Sequence, residues 1–374
     1  MEQPKTSLKV FKIIQPKEKD LKGKKFFGKF EIIKAIGKSA YSSVFLGKYI
    51  NEKKYVAIKV QIRNSNISSL EKEAYFQFML KGIGIPRVIS YGVIPRYNIL
   101  VETLLGKTIQ QLFKINQNAQ IKMKDLCMVA IQIIDRIQFI HSKNIVHQDI
   151  KPENFLVGNP NSSIIYIIDF GLSKKYRSSR TGKHISFSKT KKFNGTLKFS
   201  SINCMKGIEM TRRDDLESTG YMLIYLIRGN LPWSQFENNN LGESFEKTYQ
   251  MKSTITNQEL CKYLPKEFCY YMDYVKSLKF EENPNYLYLR SLFFSILDKM
   301  NDKYDLKFSW IKNTKDINNN LKMYKSSLLY SLNDYKRKKK FPLKNIFSNI
   351  KEIPKINNLF NTKNESIDNL KFIE

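Results

Sequence analysis

The stretch IVHQDIKPENFL, residues 145–156, and the stretch IDFGLSKKY, residues 168–176, decide the fold of this chain. Asp149 on a tight loop can accept the proton of a substrate hydroxyl, and Lys151 can neutralise a phosphoryl group in transit. Asn154 and Asp169 supply the hard oxygen ligands that magnesium prefers. In this order and at this spacing, the four side chains predict phosphoryl transfer from Mg-ATP.

Each fragment alone is weak evidence, because a short motif such as DFG recurs by chance. The ordered set is specific, and it predicts the catalytic domain of a protein kinase. We therefore expect an α+β, bilobal fold. A small five-stranded antiparallel β lobe with one helix is expected over residues 30–105, and a larger helical lobe over residues 106–310.

Local patterns along the chain agree with these two lobes. Strand-like runs separated by turns cover residues 30–37, 43–50, 54–62, 87–93 and 98–102. Helical spacing of apolar residues predicts helices at about 68–80, from Met123 to Ser142 and from Asp215 to Arg228. The polar segment 177–194 is typical of a surface loop.

The two ends of the chain differ from the catalytic domain, predicted at 30–310. Residues 1–29 are rich in lysine without a clear period, which favours a loosely ordered basic leader. Residues 311–374 are rich in Lys, Asn and Ser and predict a partly flexible tail. The run KRKKK at 336–340 predicts a polyanion or a nuclear import receptor as partner, and a solvated helical face is the alternative.

Bulk composition narrows the class of protein. The 374 residues carry a net charge of +30, which attracts acidic substrates, nucleic acid or anionic lipid, although a compositional drift along the whole chain accounts for it equally well. The sequence shows no apolar run of membrane-spanning length and no apolar signal core, so we expect a cytoplasmic or nuclear monomer. The four cysteines show no C-x-x-C pairing, which favours reduced, structural thiols.

A more specific resemblance rests on seven stretches of the sequence. They are GIGIP at 82–86, IHSKN at 140–144, HQDIKPENFL at 147–156, IDFGLSKKYR at 168–177, SSIN at 200–203, RRDDLESTGY at 212–221 and LPW at 231–233. Over residues 30–310 the chain thereby resembles the casein kinase 1 family of Ser/Thr protein kinases. That family transfers phosphate from Mg-ATP to protein substrates, which are often acidic.

The resemblance implies further catalytic residues. Lys59 of VAIK, residues 56–59, would hold the α- and β-phosphates. Glu73 on the following helix would be its carboxylate partner, with Glu71 as the alternative. Thr196 resembles the threonine that bridges Asp149 and Lys151 in Ser/Thr kinases, which favours hydroxyl rather than phenol substrates.

The resemblance also implies a nucleotide pocket. Apolar side chains on both faces suit a flat base, and the resemblance implies one such side chain beneath the adenine and three above it. Backbone hydrogen bonds to the adenine would come from the segment that joins the lobes. The implied residues are Leu156 beneath, Ile36, Val44 and Ala57 above, Leu104 and Leu105 in the joining segment, and Gly37, Ser39 and Ser42 in the phosphate loop.

Two departures from the kinase pattern affect the expected activity. The phosphate loop GKSAYS, residues 37–42, keeps only the first glycine of G-x-G-x-x-G, which predicts weaker ATP affinity or slower turnover. A pseudokinase that binds partners without catalysis is the competing hypothesis. Gln148 replaces the arginine of H-R-D, which argues against activation through a phosphate on the activation loop.

Three further features concern the location of Glu102, the preference for acidic substrates and the anchoring of the activation segment. Glu102 is placed either at the back of the ATP pocket or, after a register change, in the hinge. The basic run that the resemblance implies after Trp233 is missing from residues 234–245, and Ser188 stands where an arginine would help to bind an anion. Lysines at 183, 189, 191 and 192 offer a cruder positive patch. Arg213, Asp214 and Asp215 are predicted to tie the activation segment to the helix that follows it.

Overall fold

A computed structural model describes residues 15–39, 42–63, 69–114, 122–158, 162–189, 193–237 and 239–311. Within these ranges, no helix is long and apolar enough to cross a membrane. The predictions for the KRKKK run at 336–340, and for the lysines at 191 and 192, lie outside the described residues.

Strands build most of the first lobe. In chain order the strands are β1 (Lys25–Phe26), β2 (Phe30–Lys38), β3 (Ser43–Tyr49), β4 (Tyr55–Ile62), β5 (Val88–Val93), β6 (Tyr97–Thr103), β7 (Ile145–Val146), β8 (Phe155–Val157), β9 (Ile165–Ile167) and β10 (Lys174–Lys175). The first six form one sheet in the order β1-β2-β3-β4-β6-β5, and all of their pairings are antiparallel.

Helices build most of the second lobe. In chain order the helices are α1 (Glu18–Leu21), α2 (Ser69–Met79), α3 (Ile109–Lys114), α4 (Met123–Ser142), α5 (Ile202–Met205), α6 (Arg212–Arg228), α7 (Leu241–Thr254), α8 (Asn257–Leu260), α9 (Lys266–Ser277) and α10 (Tyr286–Lys299). Helix α4 has the predicted bounds. Its apolar residues at helical spacing pack against α6 and α10 at the centre of the lobe. The α+β, bilobal prediction is confirmed.

The sheet differs from the prediction at its edge, where the described chain has six strands instead of five. The extra strand β1 is short, and it pairs with the start of β2. Leu21 and Phe26 are buried in the core of the sheet together with Ile32. The loosely ordered leader predicted for residues 1–29 is therefore wrong for residues 17–29, because their apolar side chains are buried in the core of the sheet and β1 pairs with β2.

The four cysteines are free thiols, as predicted. Cys127, Cys204 and Cys261 are buried, and burial raises the pKa of the Cys204 and Cys261 thiols to about 12. A thiol with so high a pKa is a poor nucleophile at neutral pH, so these side chains act as small apolar residues.

Asp215 near the start of α6 anchors the loop that carries the catalytic motif. Its carboxylate accepts hydrogen bonds from the backbone N–H of His147 at 2.7 Å and of Gln148 at 2.8 Å, and Nε2 of His141 lies 2.9 Å away. Asp214 instead accepts from Ser201 at 2.6 Å and caps α6 at Thr211. The prediction that both aspartates tie down the activation segment thus holds for Asp214 and is wrong for Asp215.

Asp215→Asn is expected to lower the free energy of unfolding by about 2–4 kcal/mol at pH 7, because two charge-assisted hydrogen bonds are weakened in a buried site. Burial acts to raise the pKa of Asp215, but the contacts with His141 and His147 outweigh it and lower that pKa. The carboxylate therefore stabilises the fold above its unfolded pKa of about 4 and ceases to do so as the pH falls through the folded pKa.

Urea denaturation at pH 7 and at steps down to pH 3 measures this effect. The difference between wild type and Asp215→Asn should shrink below about pH 4. Asp273→Asn, an exposed aspartate of α9, is the control and should be neutral within about 0.5 kcal/mol. Equal stability of Asp215→Asn and wild type at pH 7 would contradict the anchoring role.

Candidate active site

Lys59 of β4 is buried between two carboxylates. Its ammonium forms an ion pair with Glu73 of α2, and Oε1 of Glu102 on β6 lies 3.4 Å from Nζ. All three side chains are buried. Of the two predicted partners, Glu73 contacts Lys59, whereas Glu71 lies on the exposed side of the same helix.

The strand register explains how Glu102 reaches this position. Ala57 pairs directly with Glu102 across β4 and β6, so the two side chains share a face of the sheet, and Lys59 points to that same face two residues on. Glu102 also accepts a hydrogen bond from Nε2 of Gln77 at 2.5 Å. Of the two alternatives, the structure therefore places Glu102 inside β6, beside Lys59, and not in the segment that joins the lobes.

Charge in this cluster is unbalanced, because three carboxylates surround one lysine. Burial raises the pKa of Glu73, and the negative charges of Asp169 and Glu102 raise it further, against the opposing charge of Lys59. For Lys59, burial acts to lower the pKa, but Glu102, Glu73 and Asp169 outweigh it and raise that pKa. The lysine stays charged, and its attraction is divided among several anions.

The catalytic loop brings three predicted side chains into mutual contact. Lys151 Nζ lies 2.5 Å from Oδ2 of Asp149, and the Thr196 hydroxyl donates to Oδ1 of Asp149 at 2.7 Å. Lys151 Nζ also donates to Oγ1 of Thr196 at 3.2 Å. Gly195 permits this approach, because it has a φ of +97° and an added Cβ would lie 2.7 Å from the carbonyl oxygen of Gln148.

Of the two predicted magnesium ligands, Asn154 lies in this loop and Asp169 precedes the turn at 170–172. Asn154 donates from Nδ2 to the Asp149 carbonyl at 2.7 Å, so its amide oxygen is the atom that a cation would bind. The Asn154 carbonyl accepts from the Ile168 N–H at 3.0 Å, which holds Asp169 beside it. Asp169 has the left-handed backbone angles φ 67° and ψ 67°. One carboxylate and one amide oxygen, both hard donors, fit Mg²⁺.

The phosphate loop is closed by its two serines. The hydroxyls of Ser39 and Ser42 lie 2.8 Å apart, and the Ser39 N–H donates to the Ser42 carbonyl at 2.8 Å. Gln15 donates from Nε2 to the Ser39 carbonyl at 2.8 Å. Residues preceding the sheet therefore contact the loop, a contact that sequence reasoning missed because Gln15 belongs to no motif.

The residues predicted to enclose adenine lie where the two lobes meet. Ala57 and Val44 are on adjacent strands of the sheet, Gly37 pairs with Val44, and Ile36 is exposed at the end of β2. Leu156 lies on β8 of the helical lobe and bridges to Thr108. Leu104 and Leu105 follow β6 in the segment that joins the lobes, where the Gly106 N–H donates to the Val157 carbonyl at 2.9 Å.

Two lysines that follow Asp169 in the chain are paired with carboxylates. Lys198, two residues after Thr196, lies 2.6 Å from Oε1 of Glu237, and Lys174 forms an ion pair with Glu209. Of the lysines proposed as a positive patch, Lys183 is exposed and Lys189 pairs through its backbone with Ile208. The Ser188 carbonyl accepts from the Glu209 N–H at 3.0 Å.

Comparison with known protein families agrees with this arrangement. The family model described as protein kinase domain matches residues 30–288, which is more than half of the chain. The match begins at β2 and includes the Lys59 cluster, the catalytic loop and the Asp169 turn. Protein kinase domains in general use ATP and Mg²⁺ and act on protein substrates. The chain therefore belongs to the protein kinase domain family.

Proposed function

We propose that this chain is an active Ser/Thr protein kinase of casein kinase 1 type, which transfers the γ-phosphate of Mg-ATP to protein hydroxyl groups. The observation that carries the proposal is the contact of Asp149 with both Lys151 and Thr196 at 2.5 and 2.7 Å. A base, a cation and a hydroxyl held in one network are the groups that phosphoryl transfer to an alcohol requires.

Each residue has a role that follows from its position. Asp149 orients the substrate hydroxyl and accepts its proton, while Lys151 neutralises charge on the transferred group. Lys59, held by Glu73, faces the nucleotide phosphates. Asn154 and Asp169 would hold Mg²⁺, whose charge would neutralise the phosphates.

The substrate class rests on Thr196 and on local charge. Thr196 takes part in the Asp149 network, as the threonine does in Ser/Thr kinases, and this supports serine and threonine as acceptors. Because Glu237 neutralises Lys198, and Glu209 neutralises Lys174, these two lysines add little to a preference for acidic sequences around the acceptor.

A peptide library with labelled ATP tests the proposal, with wild type beside Asp149→Asn. We expect wild type to phosphorylate serine and threonine peptides in an Mg²⁺-dependent manner. Labelling of tyrosine peptides alone would refute the Ser/Thr assignment. Equal labelling by both proteins would show that Asp149 has no catalytic role.

A pseudokinase is the second candidate, and the closed Ser39–Ser42 turn is the observation that favours it. One of the two hydroxyls donates to the other at 2.8 Å, so that O–H group is not available to a phosphate. The two candidates differ in a direct measurement. The pseudokinase predicts no labelling of any peptide by wild type even at millimolar Mg-ATP.

Glu102→Gln is expected to lower the KM for ATP about threefold to tenfold, because it removes a buried negative charge that competes with the phosphates for Lys59. The glutamine keeps a carbonyl oxygen that can accept the hydrogen bond from Gln77. Steady-state kinetics at saturating peptide measure the change. Glu71→Gln removes an exposed charge from the same region and serves as the control. An increased KM in Glu102→Gln would mean that Glu102 holds Lys59 in its working position.

A further inference from the structure

The segment 197–200, which follows Thr196, is held by side chains of the helical lobe through its backbone carbonyls. The Leu197 carbonyl accepts from Nζ of Lys252 at 3.1 Å, and the Ser200 carbonyl accepts from the same nitrogen at 2.7 Å. The Lys198 carbonyl accepts from Nε1 of Trp233 at 2.8 Å. Two side chains thus bind three of four consecutive carbonyls.

Lys252 of α7 is an unusual donor, because a lysine is rarely buried in a protein core. Its relative exposure is 1%, and Nζ lies 4.7 Å from the centroid of the Tyr221 ring and 4.8 Å from that of Trp233. Burial lowers the pKa of Lys252 to about 7, against the opposing charge of Glu217. Both the charged and the neutral amine carry enough N–H groups for two carbonyls, so the contacts do not require one charge state.

The held segment is continuous with the catalytic network. The backbone N–H groups of Phe199 and Ser200 both donate to the Thr196 carbonyl at 3.0 Å, which closes a turn over residues 196–200. The hydroxyl of Thr196 bonds Asp149 in turn. A displacement of Leu197 or Ser200 would therefore move the threonine that contacts the base.

The contacts of Lys252 and Trp233 with residues 197–200 also bear on how this segment becomes ordered. Gln148 occupies the position next to Asp149 where an arginine would bind an activation-loop phosphate, and a neutral amide cannot make that ion pair. Trp233 lies in the core of the helical lobe and Met251 of α7 packs against that core, so the donors that hold the segment belong to the folded lobe.

From these contacts we propose that Lys252 and Trp233 are positioning residues, which clamp the carbonyls of residues 197–200 and so orient Thr196 and the surface that receives the protein substrate. The inference rests on the proposed kinase activity for its kinetic consequence. The conformational consequence concerns the unliganded protein and does not depend on activity.

The test uses Lys252→Met in the full chain, because methionine is similar in length, remains apolar and cannot donate. We expect the KM for a peptide substrate to rise about tenfold, as for the loss of one to two hydrogen bonds, with the KM for ATP changed less than about twofold. Amide hydrogen exchange of residues 196–203 in the absence of ligands should accelerate about tenfold or more. Lys276→Met is the matched control, since Lys276 faces the same Tyr221 ring at 5.9 Å.

The possible results of these measurements distinguish the proposed clamp from the proposed kinase activity. If wild type phosphorylates no peptide, the proposed function fails, and the exchange data still decide the clamp. Unchanged exchange and unchanged peptide KM in folded Lys252→Met would overturn the proposal, as would an equal effect of Lys276→Met. Should Lys252→Met fail to fold, Trp233→Phe replaces it, because it removes one donor and retains an aromatic ring, and the same two readouts apply.

Discussion

Replacing Asp149 with asparagine is expected to reduce kcat by at least about 10²-fold while the fold stays intact. The side chain keeps its volume, but it loses the basic oxygen that accepts the substrate proton in the proposed mechanism. It also loses the charge that Lys151 contacts at 2.5 Å. The KM for ATP should change little, since in the proposed mechanism the nucleotide phosphates face Lys59 and not Asp149.

Steady-state kinetics with the best library peptide measure this effect, beside thermal unfolding of both proteins. Glu153→Gln is the matched control, because it neutralises an exposed carboxylate in the same loop. Wild-type turnover by folded Asp149→Asn would remove Asp149 from the mechanism. A lowered melting temperature of Asp149→Asn would mean that its role is structural.

Asp169→Ala is expected to abolish Mg²⁺-dependent nucleotide binding. The substitution removes the carboxylate of the proposed metal pair, and the amide oxygen of Asn154 alone is a weak ligand for Mg²⁺. In the absence of Mg²⁺, the variant should bind ATP no worse than wild type, because a negative charge near the phosphates has been removed.

Isothermal titration of ATP with and without Mg²⁺ separates these two effects. Wild type should show a large gain in affinity on addition of the metal, and Asp169→Ala should show little. The exposed Asp273→Asn serves again as the control and should retain the full gain. A variant that keeps the gain would show that other oxygen atoms hold the metal.

Much of the fold and of the candidate site could be predicted from local sequence. The five strand-like runs correspond to β2–β6, and α4 has the predicted bounds. Asp149, Lys151 and Asn154 lie within six residues of one another, so one short loop conformation brings them together. Motifs of this kind are readable because the chemistry requires certain side chains at a fixed spacing, whatever the rest of the core contains.

Spacing along the chain also pointed to Glu73, but two carboxylates remained as alternatives for the partner of Lys59. Only the packing of α2 on the sheet decided between them, because Glu71 and Glu73 lie on different faces of one helix. The position of Glu102 depended in the same way on the register of β6 against β4. A shift of one residue would have turned its side chain to the opposite face.

By itself, the sequence determined the two-lobed architecture, the kinase motifs and the residues that meet in the catalytic loop. The tertiary structure alone decided the docking of residues 17–29, the anchoring of the catalytic loop by Asp215 and the contact of Lys252 with the Ser200 carbonyl. The physical reason is that partners such as His147 and Asp215, or Lys252 and Ser200, are far apart in the chain. Their meeting depends on how whole helices and strands pack, which no local pattern of residues encodes.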